Sequence, residues 1–163
     1  MIVVVGILAV ISIVAYGGLQ DKAYSSKAVA AIDSVTKALS IYKAEAGHYP
    51  STAVGVPVCI GAVSEYPAAN GYAEGVCDNT YNRAVSTAFN NELKRYLSRV
   101  PDASLPSIGT LGENMRGVVY VSDSSGSFMR LLYGIKGDQT CSRGVKIGLG
   151  SMTLCDLQLP APA

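Results

Sequence analysis

The sequence lacks most of the residue patterns that enzymes and nucleic-acid-binding proteins require. It has one histidine, no Gly-x-Ser-x-Gly and no phosphate-binding glycine loop, so the common nucleophilic and phosphotransfer sites have no counterpart. Thirteen basic residues nearly balance twelve acidic ones, and no polybasic run occurs. A net charge of +1 gives no electrostatic basis for an obligate nucleic-acid partner. We therefore expect that the protein is not an enzyme and that it has no catalytic residue and no cofactor.

Charge is missing from the first nineteen residues. The apolar run Ile2–Leu19 has about the minimum length that spans a hydrocarbon core. No basic residue precedes it and no Ala-x-Ala site ends it, which argues against a cleaved signal peptide. A buried core helix is the other alternative, but a transmembrane or filament-core stem fits the composition best. The stem residues predicted to face the membrane or filament core are Ile2, Val3, Val4, Val5, Gly6, Ile7, Leu8, Val10, Ile11, Ile13, Val14 and Tyr16.

An amphipathic pattern follows the stem without a break. Apolar residues recur at steps of three and four, which predicts one helical stripe packed against a globular head. The stripe consists of Ala28, Ile32, Val35, Leu39, Tyr42 and Ala46. Gly47 and Pro50 should end the helix. A helix over Ile2–Ala46 would be about 67 Å long and would project beyond the head. Gly17-Gly18 is its weakest point, where we expect a bend or local melting.

The four cysteines lack the close spacing of a zinc site. They occur at positions 59, 77, 141 and 155, and no Cys-x-x-Cys is present. Two disulfides suit a membrane-anchored exterior domain, and Cys59–Cys77 with Cys141–Cys155 is the favoured pairing because each closes a short loop. Each loop would stabilise the fold by about 3 kcal/mol. The other two pairings and free buried thiols are the alternatives.

The head combines a loop-rich half with a strand-rich half. Residues 50–79 show no clear period and predict a stapled loop region, and helical spacing predicts a second helix over about 80–98. Strands are predicted at Gly117–Ser122, Ser127–Ile135 and Gly144–Leu149, with a four-residue turn between the first two. The fold class is therefore α+β, a long helix on a small antiparallel sheet of three or four strands. The chain divides into a stem (1–19), the amphipathic half of the same helix (20–46), a head (47–159) and a loose tail (160–163).

Two segments mark the start and the end of the long helix. The first is Gly6–Tyr16, followed by Gln20, and the second is Tyr42–Pro50. They resemble the stem and the helix end of type IV pilins and of the related type II secretion pseudopilins. The variant Ile13–Gln20 is similar to pilins of small, reduced-genome bacteria. The resemblance implies a pilin-like roll and a homo-oligomeric helical filament, and the spacing of the residues themselves indicates no metal site. The resemblance also implies a prepilin peptidase and assembly machinery as partners, a single-pass location in the inner membrane, and an extracellular pilus after assembly.

The resemblance further implies residues that precede Met1. The family's leader, its Gly–Phe processing site and a nearby glutamate would all lie upstream, so we expect Met1 to be an internal methionine of a prepilin. Val14 stands where the family often has a helix-kinking proline. In pilins a C-terminal disulfide loop is exposed on the filament surface. The loop 141–155 is therefore implied to face outward, with a contact role for residues 142–154, and we expect the loop 59–77 to face outward as well.

Three further features admit a chemical role, and each has a simpler structural one. His48 is expected in a turn rather than in a catalytic site. Gly144–Gly150 is rich in glycine but precedes no helix, which indicates a strand and a turn. Asp123, Asp138 and Asp156 invite comparison with the calcium loop of major pseudopilins, but their spacing matches no calcium motif. The ten tyrosines are expected to pack rather than to contact DNA.

The resemblance favours a structural subunit of a type IV-like pilus that serves adhesion, twitching motility or DNA uptake. The alternative is a pseudopilin of a type II secretion system, which acts inside a secretion machine. The C-terminal cysteine loop favours the pilin, and a calcium site would favour the pseudopilin. A membrane-anchored exterior enzyme is the third class, which the residue inventory disfavours.

Overall fold

The computed structural model has a long helix packed on an antiparallel sheet, which confirms the predicted α+β class. It describes residues 2–50, 52, 56–68, 71–79, 81–97, 115–122, 129–148 and 152–160, and the side chains of residues 2–17 and 20 lie outside that description. The helices are α1 (Ile2–Ala46) and α2 (Thr87–Leu93), with one 3₁₀ turn at Val63–Glu65. The strands are β1 (Val58–Ile60), β2 (Val76–Asp78), β3 (Arg83–Ala84), β4 (Val118–Ser122), β5 (Met129–Lys136), β6 (Val145–Gly148) and β7 (Met152–Leu159).

Five strands form the main sheet in the order β1-β4-β5-β7-β6, and every neighbouring pair is antiparallel. The last strand, β7, therefore lies inside the sheet, while β6 forms one edge. The strands predicted from the sequence end near residue 149 and include neither β7 nor the short β1. Met152–Leu159 has apolar residues on both faces, which hides the alternation that marks a half-buried strand. The predicted turn at Asp123–Gly126 lies outside the described residues.

The second helix is shorter than the predicted span of about 80–98. The N-cap is Ser86, whose side chain accepts a hydrogen bond from the Phe89 N–H at 3.4 Å, and α2 ends at Leu93. Apolar residues at 81 and 85 suited helical spacing, but Asn82 has a positive φ of 49° and Arg83–Ala84 pairs with β2. Similarly, the predicted loop region 50–79 contains two buried strands, β1 and β2.

The main core lies between α1 and the inner face of the sheet. Ile32, Val35 and Leu39 of α1 are fully buried in one cluster with Tyr120 and Tyr133 of the sheet. The helix ends where Gly47 takes a positive φ of 77° and its N–H donates to the Lys43 carbonyl at 2.9 Å. The helical backbone is continuous through Gly17-Gly18, so the expected bend or melting does not interrupt α1.

A second, smaller core lies on the outer face of the sheet. Its buried members are Cys59, Tyr66, Cys77, Met115, Val119, Leu132 and Leu154. The side chain of Asn90 in α2 fastens this region to β1, because it accepts from the Gly61 N–H at 2.8 Å and donates to the Cys59 carbonyl at 3.0 Å. The sheet is thus covered by α1 on one face and by the loop-rich half on part of the other.

Candidate assembly surfaces

The predicted stem is a continuation of the helix that carries the head. Its backbone is helical from Ile2, and Leu19 at its upper end is 66% exposed. The predicted core-facing residues between Ile2 and Tyr16 all belong to the segment whose side chains lie outside the description. Within the residues that the structure does describe, α1 and α2 included, no helix is long and apolar enough to cross a membrane.

The head-packing stripe differs from the prediction at its upper end. Ala28, Ile32, Val35 and Leu39 are buried, Tyr42 is half-buried, and Ala46 is exposed. Ala46 is therefore wrongly included in the stripe. Ala46 is the last helical residue before the chain turns at Gly47. The side chain that covers this face of the helix is Tyr49, which packs beside Lys43, about one turn before Ala46. Ala31 and Ala38 are also buried, which widens the stripe between its predicted members.

The last residue of β5 and the segment that follows it bind the water-facing part of α1 through three polar contacts. Lys136 Nζ lies 2.5 Å from Asp21 Oδ1, Gln139 Nε2 donates to Ser25 Oγ at 3.0 Å, and Arg143 Nε lies 3.0 Å from Asp33 Oδ1. We call Lys136, Gln139 and Arg143 the helix clamp. Sequence reasoning missed it, because each contact joins residues more than one hundred positions apart and no local pattern marks such a pair.

The Cys141–Cys155 disulfide holds the helix clamp in place, with a Cα–Cα distance of 5.8 Å. The Tyr133 hydroxyl donates to the Arg143 carbonyl at 2.7 Å, and the Gln139 N–H donates to Thr153 Oγ1 at 2.9 Å. Gly144 has a positive φ of 82°, and a Cβ there would lie 2.2 Å from the Asp156 carbonyl oxygen. Only glycine permits this close approach between the clamp and β7.

The Cys59–Cys77 disulfide has quite different surroundings. Both cysteines are fully buried in the outer core, 5.9 Å apart at Cα. The neighbouring guanidinium of Arg116 is buried as well, and donates from Nε to the Val76 carbonyl at 3.0 Å and from Nη1 to the Pro67 carbonyl at 2.8 Å. Its carbon Cζ lies 4.5 Å from the centre of the Tyr72 ring. The expectation that both disulfide loops face outward is therefore wrong for the bond of this first loop.

The implied contact segment 142–154 is exposed in its first half only. Val145 and Ile147 on the edge strand β6 are 68% and 50% exposed. Thr153 and Leu154 are buried in β7, so they cannot contact a neighbouring subunit. Residues 149–151 lie outside the described part of the chain. Any contact role is therefore limited to residues 142–148 and the half-buried Met152 among those that the structure describes.

Tyrosines gather where α1 ends. The Tyr42 hydroxyl donates to Glu92 at 3.2 Å, and the Tyr96 hydroxyl donates to Glu45 at 2.9 Å. Burial, with a smaller contribution from Glu92, raises the pKa of Tyr42, and the hydrogen bond to Glu45 raises the pKa of Tyr96. His48 is exposed in the turn after α1, and its Nδ1 lies 2.8 Å from the Tyr49 carbonyl oxygen. These contacts join the end of α1 to α2 and the turn that follows it, and none of them suggests a catalytic role.

The aspartates compared with a calcium loop have other partners. Asp138 pairs with Lys146, and Asp156 accepts from Arg130 Nε at 2.8 Å. Asp123 lies outside the described residues. Over the described ranges, no group of three or more histidine, cysteine, aspartate or glutamate side chains is placed to hold a metal ion. Val145–Gly148 forms the edge strand that the sequence predicted at Gly144–Leu149, and the end of the predicted segment, residues 149–150, lies outside the described part of the chain.

One family model matches the chain, over residues 15–110, and its description is type II secretion system (T2SS), protein G. No curated protein and no solved structure matches. The matched segment covers more than half of the chain and includes most of the clamped and buried part of α1. This match favours the pseudopilin alternative over the surface pilus that the sequence analysis preferred, and the family is structural rather than enzymatic. The chain therefore belongs to the protein G family of type II secretion pseudopilins, within the larger pilin superfamily.

Proposed function

We propose that this chain is the repeating subunit of a type II secretion pseudopilus, held in the inner membrane by its stem before assembly and packed through the same stem afterwards. The observation that carries the proposal is a 45-residue helix whose first half is uncharged in sequence and whose second half carries the head of a protein G pseudopilin. Apolar surface buried between stems would stabilise the filament by about 25 cal/mol per Å².

Two contacts along α1 would serve this role. The buried stripe from Ala28 to Leu39 holds the head against the helix, and the helix clamp fixes the lower part of the head to Asp21 and Asp33. Head and helix would then move as one body when neighbouring stems advance. The stem would extend about 28 Å below Gln20, at 1.5 Å per residue, which leaves it free to pack with other stems.

The test is a charge placed in the stem of the full chain, in cells that lack the native gene. Val10→Asp should abolish filaments and secretion, because an unpaired carboxylate cannot be buried between apolar helices or in lipid. Ala23→Asp is the matched control, since Ala23 is exposed on the water-facing part of the same helix. Filaments are scored by electron microscopy with mass spectrometry of the subunit, and secretion by exoprotein activity in the medium. Normal secretion in cells carrying Val10→Asp would contradict the proposal.

A surface pilus is the second candidate, and one observation favours it. The disulfide Cys141–Cys155 bounds a segment whose residues 142–145 are exposed, as the resemblance to pilins implies for a surface contact loop. Adhesion, twitching motility and DNA uptake belong to this candidate. Cells without the gene that still secrete normally but lose surface filaments or twitching would favour the pilus over the pseudopilus.

A further inference from the structure

A groove of about 500 Å³ opens between α1 and the segment after β5, just above the end of the uncharged stem. Lys22, Ser25 and Ser26 line it on the helix side, and Gln139 and Thr140 line it on the other. We propose that this headgroup groove binds the phosphate of an anionic phospholipid while the subunit is held in the membrane. The proposal rests on the membrane insertion of the stem proposed above.

The position of the groove along α1 supports this assignment. The uncharged run ends at Leu19, and at 1.5 Å per residue Lys22 lies about 5 Å and Ser26 about 10 Å further along the helix. The headgroup layer on each side of a bilayer is about 5 to 8 Å thick. A helix that crosses the membrane with Leu19 at the hydrocarbon boundary therefore places Lys22, at the end of the groove nearest the stem, at the depth of the phosphates, and Ser26 just beyond them. Tyr24, half-buried against the main core one residue before Ser25, is typical of this layer.

The charges around the groove leave a positive excess. The two carboxylates at its edges are already paired, Asp21 with Lys136 and Asp33 with Arg143. Lys22 is exposed and forms no ion pair with any residue in the described part of the chain. The ammonium group of Lys22, beside the hydroxyl of Ser26, supplies the donors that a phosphate oxygen accepts from.

The chain contains no tryptophan, so one introduced indole reports on the groove alone. The full chain with Thr140→Trp is placed in phosphatidylcholine vesicles with or without phosphatidylglycerol, and headgroup-attached nitroxide lipids quench the fluorescence. Ala44→Trp, exposed about 38 Å along the helix from Leu19, is the control for depth. Quenching of Trp at 140 should rise with the phosphatidylglycerol fraction, and quenching at 44 should stay low.

Charge variants identify the cation. Added to Thr140→Trp, Lys22→Gln should raise the phosphatidylglycerol fraction at half-maximal quenching about fivefold, the usual effect of one basic residue at a membrane surface. Lys37→Gln removes the same charge from an exposed position fifteen residues further along α1 and should change nothing.

The outcomes separate the two proposals. Failure of the chain to float with phosphatidylcholine vesicles overturns the membrane insertion and, with it, the lipid site. If the chain floats with the vesicles but quenching of the Trp at 140 is low, the lipid site alone is overturned. The same holds if the quenching does not depend on the phosphatidylglycerol fraction or on Lys22. Fluorescence at 140 that depends on the protein-to-lipid ratio instead of lipid charge would mean that a second subunit fills the groove, which also overturns the lipid site.

Discussion

The two disulfides of the head close loops of similar length and sit in opposite surroundings. Cys59–Cys77 spans 18 positions and lies in an apolar cluster with Tyr66 on the outer face of the sheet. Cys141–Cys155 spans 14 positions, joins the half-buried Cys141 to Cys155 in the main core, and holds polar groups against α1. Chain entropy alone predicts nearly equal stabilisation. The first disulfide therefore stabilises the outer core, whereas the second positions the polar residues of the helix clamp.

The largest effect should come from the buried bond. Removing it with Cys59→Ala and Cys77→Ala should lower the free energy of unfolding by about 3 to 5 kcal/mol, since the loss of packing in the outer core adds to the loop entropy. Urea unfolding of the full chain in detergent, followed by circular dichroism, measures the loss. A decrease below about 1 kcal/mol would show that the outer core does not depend on this bond.

A smaller and more local effect is expected at the second bond. Cys141→Ala with Cys155→Ala should cost about 3 kcal/mol or less and should raise amide exchange mainly between residues 137 and 148, where the clamp is held. The exposure of Cys141 also predicts that a mild reductant opens this bond first, which alkylation and mass spectrometry would detect. If amide exchange in this variant rises equally in β1 and β4, the proposed difference between the two disulfides is contradicted.

The smallest expected effect is a pH-dependent change in stability from Tyr66 in the outer core. The Tyr66 hydroxyl donates to the Ile60 carbonyl at 2.7 Å, so Tyr66→Phe should cost about 1 to 2 kcal/mol at pH 7. Burial raises the pKa of Tyr66, so its contribution is complete below pH 10 and is lost as the pH rises and the unfolded chain ionises. The stability gap between Tyr66→Phe and the native chain should therefore narrow above pH 10. A gap that stays constant from pH 7 to 11 would place this hydroxyl outside the buried cluster.

The sequence was sufficient for the features that depend on local pattern. The period of Ile32, Val35 and Leu39 and the stop at Gly47 defined the buried face and the end of α1, and the closeness of the cysteines in each pair suggested the disulfides that the structure contains. The family resemblance was also correct at the level of the superfamily. The match to protein G favours the pseudopilin over the pilus that the resemblance preferred, and the stem motif could not separate the two because both families share it.

The clamp and the sheet order could not be predicted in this way. Asp21 and Lys136 are ordinary surface charges in the sequence, and only the tertiary fold makes them partners. The strand β7 has apolar residues on both faces because the main core covers one face of the sheet and the outer core covers the other, and this cover depends on the tertiary fold rather than on the period of β7. The predicted span of α2 failed for a related reason, since the pairing of β3 with β2 overrides a helical spacing.

The interior place of β7 has a consequence for biogenesis. This strand follows every other described element in the chain, yet it pairs with β5 along its whole length and supplies the cysteine that closes the clamp. During synthesis the sheet therefore stays open, and Ile32 and Leu39 stay partly uncovered, until the last strand has emerged and crossed the membrane. A stem that enters the bilayer early would hold this unfinished head near the export site, where its exposed strands meet few partners with which to aggregate.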